Sequence, residues 1–239
     1  MRVRNFVLLF ILTVIIVAKS SAQNLPPDSL VYGAIPEQVI DQFNTTIANQ
    51  SELFNGALYE LYPPANKGTF YFLDKNYCVP ALIRYDHTWY KNIPVLYDVY
   101  NDAMVSVSGN NLYVLRPGKL SDLYFLNHHF IYVETEGTDG LAPGYYDQLY
   151  PGRSKVLVKR SKRINDTKTT EIVYEDRTDI YVKKDSKYYL VNSKGSLLDI
   201  FKNKKKELNQ YLDNNKIRYN KDKEGAVARL AIYYDQISN

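Results

Sequence analysis

From Glu52 onward, short runs rich in Tyr, Val, Leu, Ile and Phe recur every 8 to 12 residues, separated by Gly, Asn, Asp, Pro or Ser. Polar and apolar side chains alternate inside several of these runs. In residues 155–163, Val156 and Val158 alternate with Lys155, Leu157 and Lys159. A period of two with frequent turn residues predicts an antiparallel all-β sheet or barrel. Several hairpins follow from the turn chemistry. Strands 104–108 and 112–116 flank Gly109-Asn110-Asn111, and strands 123–126 and 130–134 flank Asn127-His128. Strands 155–163 and 170–175 flank Asn165-Asp166, and strands 181–184 and 188–191 flank Asp185-Ser186. Residues 192–195 then turn the chain into a further strand over 197–201.

The period changes to 3.6 near the C-terminus. Leu208, Tyr211 and Leu212 predict a helix over 203–214, and Val227, Leu230, Tyr234 and Ile237 one over 222–237, with Asp222 and Glu224 in its first turn. The expected fold is mainly β, an antiparallel meander forming a curved sheet or partly open barrel, with a C-terminal αα-hairpin (α+β by strict count). Residues 23–50 hold three prolines and read as an arm, with a short helix over 37–43. Residues 137–144, with three glycines and Pro143, read as a mobile connection. Residues 51–239 are expected to form a single β-rich domain.

Residues 1–22 have a different pattern. Arg2 and Arg4 precede an uncharged apolar run from Phe6 to Ala18, and Ser20-Ser21-Ala22 supplies small residues for a peptidase. This is the layout of a secretory signal peptide, and its apolar run is shorter than the roughly 20 residues a spanning helix needs. Cleavage near Ala22 is expected to release the chain to a periplasmic or extracellular location. With no cysteine at the cut, it would not be a lipoprotein.

Charge changes the picture once the leader is set aside. The whole chain has 30 basic and 26 acidic side chains, but three of the bases lie in the leader. Residues 23–150 carry 6 basic and 14 acidic side chains, residues 151–239 carry 21 and 12. Such a split fits two domains, a basic partner surface, or two halves of one domain attracting each other. Export argues against a nucleic-acid partner. The lysine cluster at Lys202 and Lys204 to Lys206, with Lys159-Arg160 and Lys162-Arg163, would then face anionic lipid or acidic polysaccharide, or simply water.

Candidate chemistry is sparse. Cys78 is the only cysteine, so no intramolecular disulfide can form, and its apolar neighbours predict a core position. His87 sits beside Asp86 with Trp89 two residues on, but neighbours in a strand point to opposite faces. The same divergence argues against His128-His129 as a metal site. Asp98 and Asp102 form a glycosidase pair only if space, not sequence, brings them together. No metal, cofactor or nucleophile motif is present. The 23 tyrosines suit half-buried sheet surfaces and also serve as sugar-stacking or interface residues. Asn44, Asn49 and Asn165 begin glycosylation sequons.

The order of landmarks carries a resemblance. Leu53-Phe54-Asn55-Gly56, then Gly68-Thr69-Phe70-Tyr71-Phe72, then residues 89–98 (WYKNIPVLYD), then Tyr233-Tyr234-Asp235 make a series similar to a family of exported proteins of unknown function from Bacteroidota-type bacteria. The resemblance covers roughly residues 50–239 and implies a Gram-negative envelope or extracellular location, where the sequons play no part. It brings no catalytic residues and no cofactor.

The sequence therefore points to a non-catalytic envelope protein, a binding or interaction module using a Tyr-rich β-surface. Its surface candidates are Tyr85, His87, Trp89, Tyr90, Lys204, Lys205 and Lys206, and its expected partner an envelope glycan, lipid or protein. The alternative is a periplasmic carrier holding a lipid-like ligand in a curved-sheet cavity. A third reading is an envelope hydrolase built on Asp86, His87, Asp98 or His129.

Overall fold

The computed structural model describes residues 53–61, 67–134, 140–165 and 172–238. The leader, the arm with the helix expected over 37–43, the first two sequons and residues 137–139 of the 137–144 connection lie outside the described residues.

Ten antiparallel strands form one sheet: β1 Val79–Tyr85, β2 Thr88–Asp98, β3 Ala103–Ser108, β4 Asn111–Val114, β5 Leu120–Phe125, β6 His128–Val133, β7 Gly144–Tyr150, β8 Val156–Asn165, β9 Val173–Lys184 and β10 Lys187–Leu190. Their order is β10-β9-β8-β7-β6-β5-β1-β2-β3-β4. The chain thus lays down β1 to β4 as one meander, returns to pair β5 with β1, and extends the sheet the other way to β10. Three helices follow: α1 Lys194–Ile200, α2 Lys205–Asn214 and α3 Lys223–Ile237.

Tight turns set the register. Asp86-His87, Leu126-Asn127 and Asp185-Ser186 all have both residues at positive φ, the backbone of two-residue hairpin loops whose twist matches that of the strands. The β5–β6 turn is therefore Leu126-Asn127, one residue earlier than the Asn127-His128 of the sequence reading. Residues 173–175 of the first expected run and the run 181–184 belong to one long strand, β9, while residues 170–171 lie outside the described residues.

The expected strand at 197–201 is a helix. Ser193 caps α1 in a reciprocal capping box with Ser196, and Leu197, Leu198 and Phe201 then share one helical face against the core. The local cap outweighs a short apolar run that reads equally as strand. The two C-terminal helices begin close to where the 3.6 period places them, at Lys205 and Lys223.

The sheet is strongly coiled. β2 lies three strands from β6 and four from β7, which in a flat sheet is about 14 and 19 Å. Yet the Tyr97 ring is 5.1 Å from Phe130 and 6.1 Å from Tyr145, centroid to centroid. The concave face between them is filled. Leu53 and Phe72 lie in it with Ile83, Tyr85, Tyr97, Leu123, Phe130 and Tyr145. Phe72 meets Phe130 edge-on at 5.2 Å. Farther along the same face, β7, β8 and β9 pack Val156, Val158, Ile180 and Val182 against Leu197, Phe201, Leu208, Val227, Leu230 and Tyr234 of the helical region.

Two extra segments tie the structure together. Lys67 bridges to Val173 of β9 while Tyr71 bridges to Asp98 of β2, so this stretch spans the two arms of the coiled sheet. Residues 57–59 pair with β4 through Tyr59 N–H to Leu112 C=O at 2.8 Å and Val114 N–H to Ala57 C=O at 2.9 Å. Gly56 admits this approach, because a Cβ there would strike the Val114 carbonyl oxygen. Long outer strands otherwise offer an unpaired edge to other chains.

Charge joins the acidic and basic parts of the chain. Lys159 pairs with Asp102, Arg160 with Asp147 and Lys162 with Asp74, each bond linking residues 151–239 to residues 23–150. The compositional split reflects two parts of one sheet that attract each other. No helix among the described residues is long and apolar enough to cross a membrane.

Candidate functional site

The outer, convex face of the sheet carries an aromatic row framed by polar groups. Residues directly opposite in neighbouring strands share a face, and the register places Trp89 (β2) opposite Arg84 (β1), Arg84 opposite Asp122 (β5), and Tyr124 (β5) opposite His129 (β6). The Tyr124 ring stacks on His129 at 4.2 Å with 4° between planes, and Trp89 lies 6.1 Å from Tyr124. Trp89 and Tyr124 are half-buried, leaving part of each ring in water.

Hydrogen bonds hold this row in place. His129 Nε2 lies 3.1 Å from Asp122 Oδ1, and Gln148 Nε2 lies 3.1 Å from His129 Nδ1. A neutral imidazole satisfies both contacts, with Nε2–H donating to Asp122 and Nδ1 accepting from Gln148. Burial pushes the Asp122 carboxyl up, but hydrogen bonds from His129 and Ser121 and the charge of Arg84 outweigh it, so its pKa is lowered. Burial raises the Tyr124 hydroxyl, and the charge of Asp122 raises it further.

Arg84 is the least satisfied group here. Its Nε is buried with no hydrogen-bond partner among the described residues, and its nearest carboxylate contact is Nη1 to Asp122 Oδ2 at 3.9 Å. An arginine with open donors beside Trp89 suits a planar or hydroxylated ligand group, since the guanidinium both stacks and forks.

A second polar node lies on the inner face, between the two parts of the core. The Asp147 side chain is fully buried and Oδ2 accepts from His128 Nδ1 at 2.7 Å and Arg160 Nε at 3.1 Å. Arg160 also forks onto Glu224 of α3 at 2.6 and 2.7 Å. Burial disfavours the guanidinium charge, but the bonds to Glu224 and the charge of Asp147 outweigh it, so Arg160 is held more firmly protonated than usual. The node pins the helical layer to the sheet. Among the described residues no hydroxyl or thiol bonds to His128 or Asp147, so the pair has the geometry of a structural contact rather than of a nucleophile and its base.

The seven sequence candidates do not form one site. Trp89 lies on the outer face. Tyr90 pairs with Ile83 and packs toward the inner core. Tyr85 is 0 % exposed, which corrects its reading as a surface residue: β1 alternates Ile83 and Tyr85 inward, and the turn begins only at Asp86. His87 is exposed in that turn, while Asp86 binds Lys119 at 2.8 Å. Lys204 lies 3.5 Å from Glu207 and Lys205 2.7 Å from Asp199, so these lysines and Lys206 mark the start of α2 on the helical side.

The residues of the hydrolase reading are scattered. His87 precedes the first residue of the eleven-residue β2 and Asp98 is its last, roughly 35 Å apart along the strand. Asp98 is consumed structurally, accepting from Tyr59 OH, Asn101 Nδ2 and the Tyr100 and Asn101 amides. Among the described residues no group of three His, Cys, Asp or Glu side chains is arranged to hold a metal ion. Cys78 is half-buried against the Phe70, Tyr71 and Leu96 cluster, and burial raises its thiol pKa.

Arg84, Asp122, Tyr124 and Gln148 escaped the sequence reading. The Tyr124–His129 stack depends on the turn position: a turn at Asn127-His128 would set Tyr124 opposite Ile131. The leucine at the first turn position, held at φ 51°, conceals the true site.

No family model matches this chain, and no curated protein or solved structure is significantly similar to it.

Proposed function

We propose that this chain is an exported, non-catalytic binding module that engages a polysaccharide through the outer face of its sheet. One observation carries the reading: Trp89, Tyr124 and His129 form a fixed row, with Arg84, Asp122 and Gln148 around it. Sugars present apolar C–H faces edged by hydroxyls. Aromatic rings beside arginine, carboxylate and amide groups meet both requirements with little ordering cost. Export follows from the leader and fits a glycan partner. The carrier reading has less support, because Phe72 and Leu53 occupy the concave face where an apolar ligand would lie.

The test is affinity electrophoresis of the mature chain in gels containing neutral or acidic polysaccharides, beside Trp89→Ala and Tyr124→Ala. Loss of a central aromatic anchor is worth about 2 kcal/mol or more, roughly thirtyfold in affinity. Retardation of the wild type that both variants lose supports the proposal. Retardation that neither variant affects, or binding only to lipid vesicles or to a protein partner, contradicts it.

A further inference from the structure

The register carries the outer face beyond the aromatic row. Gln148 of β7 lies opposite Leu157 of β8, and Leu157 opposite Tyr181 of β9, so all three share the face of His129. Val156 points the other way, into the core beneath the helices. Alternation therefore returns Lys155 to the outer face, one step beyond Leu157. Lys183 N–H donates to Lys155 C=O at 2.8 Å, which sets these two side chains opposite each other on that face. Lys183 is engaged there, its ammonium over the Tyr188 ring at 5.9 Å from the centroid.

Lys155 has no such partner. Its side chain is half-buried, and among the described residues no carboxylate, hydrogen-bond acceptor or ring meets its ammonium. Burial, then the charge of Lys183, lowers its pKa, and Asp122 acts in the opposite sense. Asp122 lies three strands away, about 14 Å in a flat sheet, so the two charges meet only if the lysine side chain leans back toward the row. Position singles this lysine out, not the lack of a carboxylate: Lys221, in the α2–α3 loop on the helical side, also has none among the described residues.

Asp122 is committed to its neighbours, accepting from His129 Nε2 at 3.1 Å and the Ser121 hydroxyl at 2.9 Å. Arg84, on its other side, keeps a buried Nε without a partner. The aromatic row thus runs between two cations, Arg84 on β1 and Lys155 beside β8. They stand four strands apart, about 20 Å in a flat sheet.

We propose that the polysaccharide bound by the outer face is acidic. Its anionic groups meet Lys155 at one end and Arg84 at the other, while uncharged ring faces stack on Trp89 and Tyr124. The inference rests on the reading of this face as a polysaccharide site. Lys155 is then a specificity residue, selecting acidic over neutral chains, and the bound anion offsets its opposition to Lys183.

The test is calorimetry of the protein comprising residues 23–239 with polygalacturonate, dextran sulfate and neutral dextran, at two salt concentrations. At least one acidic polymer should bind tenfold or more tighter than dextran, and more weakly in higher salt. Lys155→Gln should weaken that binding about tenfold and flatten its salt dependence, and Lys155→Arg should restore it. Lys155→Gln removes one of two opposed cations, so its melting temperature should not fall, which separates loss of the site from misfolding. Lys221→Gln removes the same charge elsewhere and should leave binding unchanged. Preference for polygalacturonate identifies carboxylate as the group read, and preference for dextran sulfate identifies sulfate. Equal affinity for neutral and acidic chains, indifference to Lys155→Gln, or an equal loss in Lys221→Gln overturns the proposal. Dextran binding that Trp89→Ala abolishes and Lys155→Gln spares overturns it while leaving the polysaccharide reading of the face intact. Absence of binding to all three polymers overturns both.

Discussion

Replacing Arg160 with methionine tests whether the inner polar node joins the sheet to its helical layer. Methionine keeps most of the side-chain volume but removes the cation. The Asp147 side chain is 0 % exposed, and without Arg160 its one remaining side-chain partner among the described residues is His128. Stranding a buried carboxylate costs about 3–5 kcal/mol. Glu224, released on the other side, is 33 % exposed and returns to water at a cost of about 0–1 kcal/mol. The first effect dominates, so the expected loss is about 3–5 kcal/mol. At roughly 2–4 °C per kcal/mol for a chain of this size, the melting temperature should fall by roughly 6–20 °C. Guanidinium unfolding followed by circular dichroism gives the free energy, and calorimetry gives the temperature. The companion Asp147→Asn/Arg160→Met variant removes both charges and should recover at least about 2 kcal/mol, since replacing a whole buried pair is often nearly neutral. A single-variant loss under about 1 kcal/mol, or a double variant no better than the single, would refute the reasoning.

Three further outcomes follow from particular contacts. Asp222 caps α3 by accepting from the Gly225 amide at 2.8 Å, so Asp222→Ala should cost about 1 kcal/mol in urea unfolding. The hydrogen bond from Lys162 holds the Asp74 carboxyl below its ordinary value against a smaller opposing effect of burial. For Asp122 burial is the largest single effect and raises the carboxyl, but the hydrogen bonds from His129 and Ser121 and the charge of Arg84 together outweigh it. Both groups have depressed folded pKa values, so their stabilisation is present above the unfolded value of about 3.9 and is lost as pH falls through the folded one. Melting temperature against pH should therefore drop below about pH 4 in the wild type, and less steeply in Asp74→Asn. An identical slope in the variant would remove Asp74 from the account. Burial raises the Cys78 thiol, so iodoacetamide at pH 8 should label the folded chain several-fold more slowly than the chain in guanidinium, as read by mass spectrometry.

The strands were legible because their alternation and turn residues agree. Asp185-Ser186 marks the β9–β10 turn in sequence and in space, and the period change announces α2 and α3 close to their observed starts. The failures occurred where local signals compete. Leu197 to Phe201 is short, apolar and equally suited to either element, and the Ser193–Ser196 cap decided it. Leu126 in a left-handed turn moved the β5–β6 turn by one residue and the pairing by two, which hid the Tyr124–His129 stack. Tyr85 lies one residue before a turn, where alternation and exposure give opposite expectations. The candidate face was harder still, since its members come from β1, β2, β5, β6 and β7 and meet only through the strand order. No local spacing encodes the return of the chain from β4 to pair β5 with β1. The charge split, by contrast, is explained by contacts such as Lys159–Asp102 between distant strands.

The central claim, that the outer sheet face is the ligand face, has a built-in reporter. Trp89 is the only tryptophan in the chain. Its fluorescence, excited at a wavelength that spares tyrosine, can be followed while the protein comprising residues 23–239 is titrated with a panel of neutral and acidic polysaccharides. The account expects a saturable shift or quench for at least one of them, with the same midpoint as binding measured by calorimetry, and loss of both signals in Tyr124→Ala. Calorimetric binding that leaves Trp89 emission unchanged, or that survives Tyr124→Ala, would contradict it.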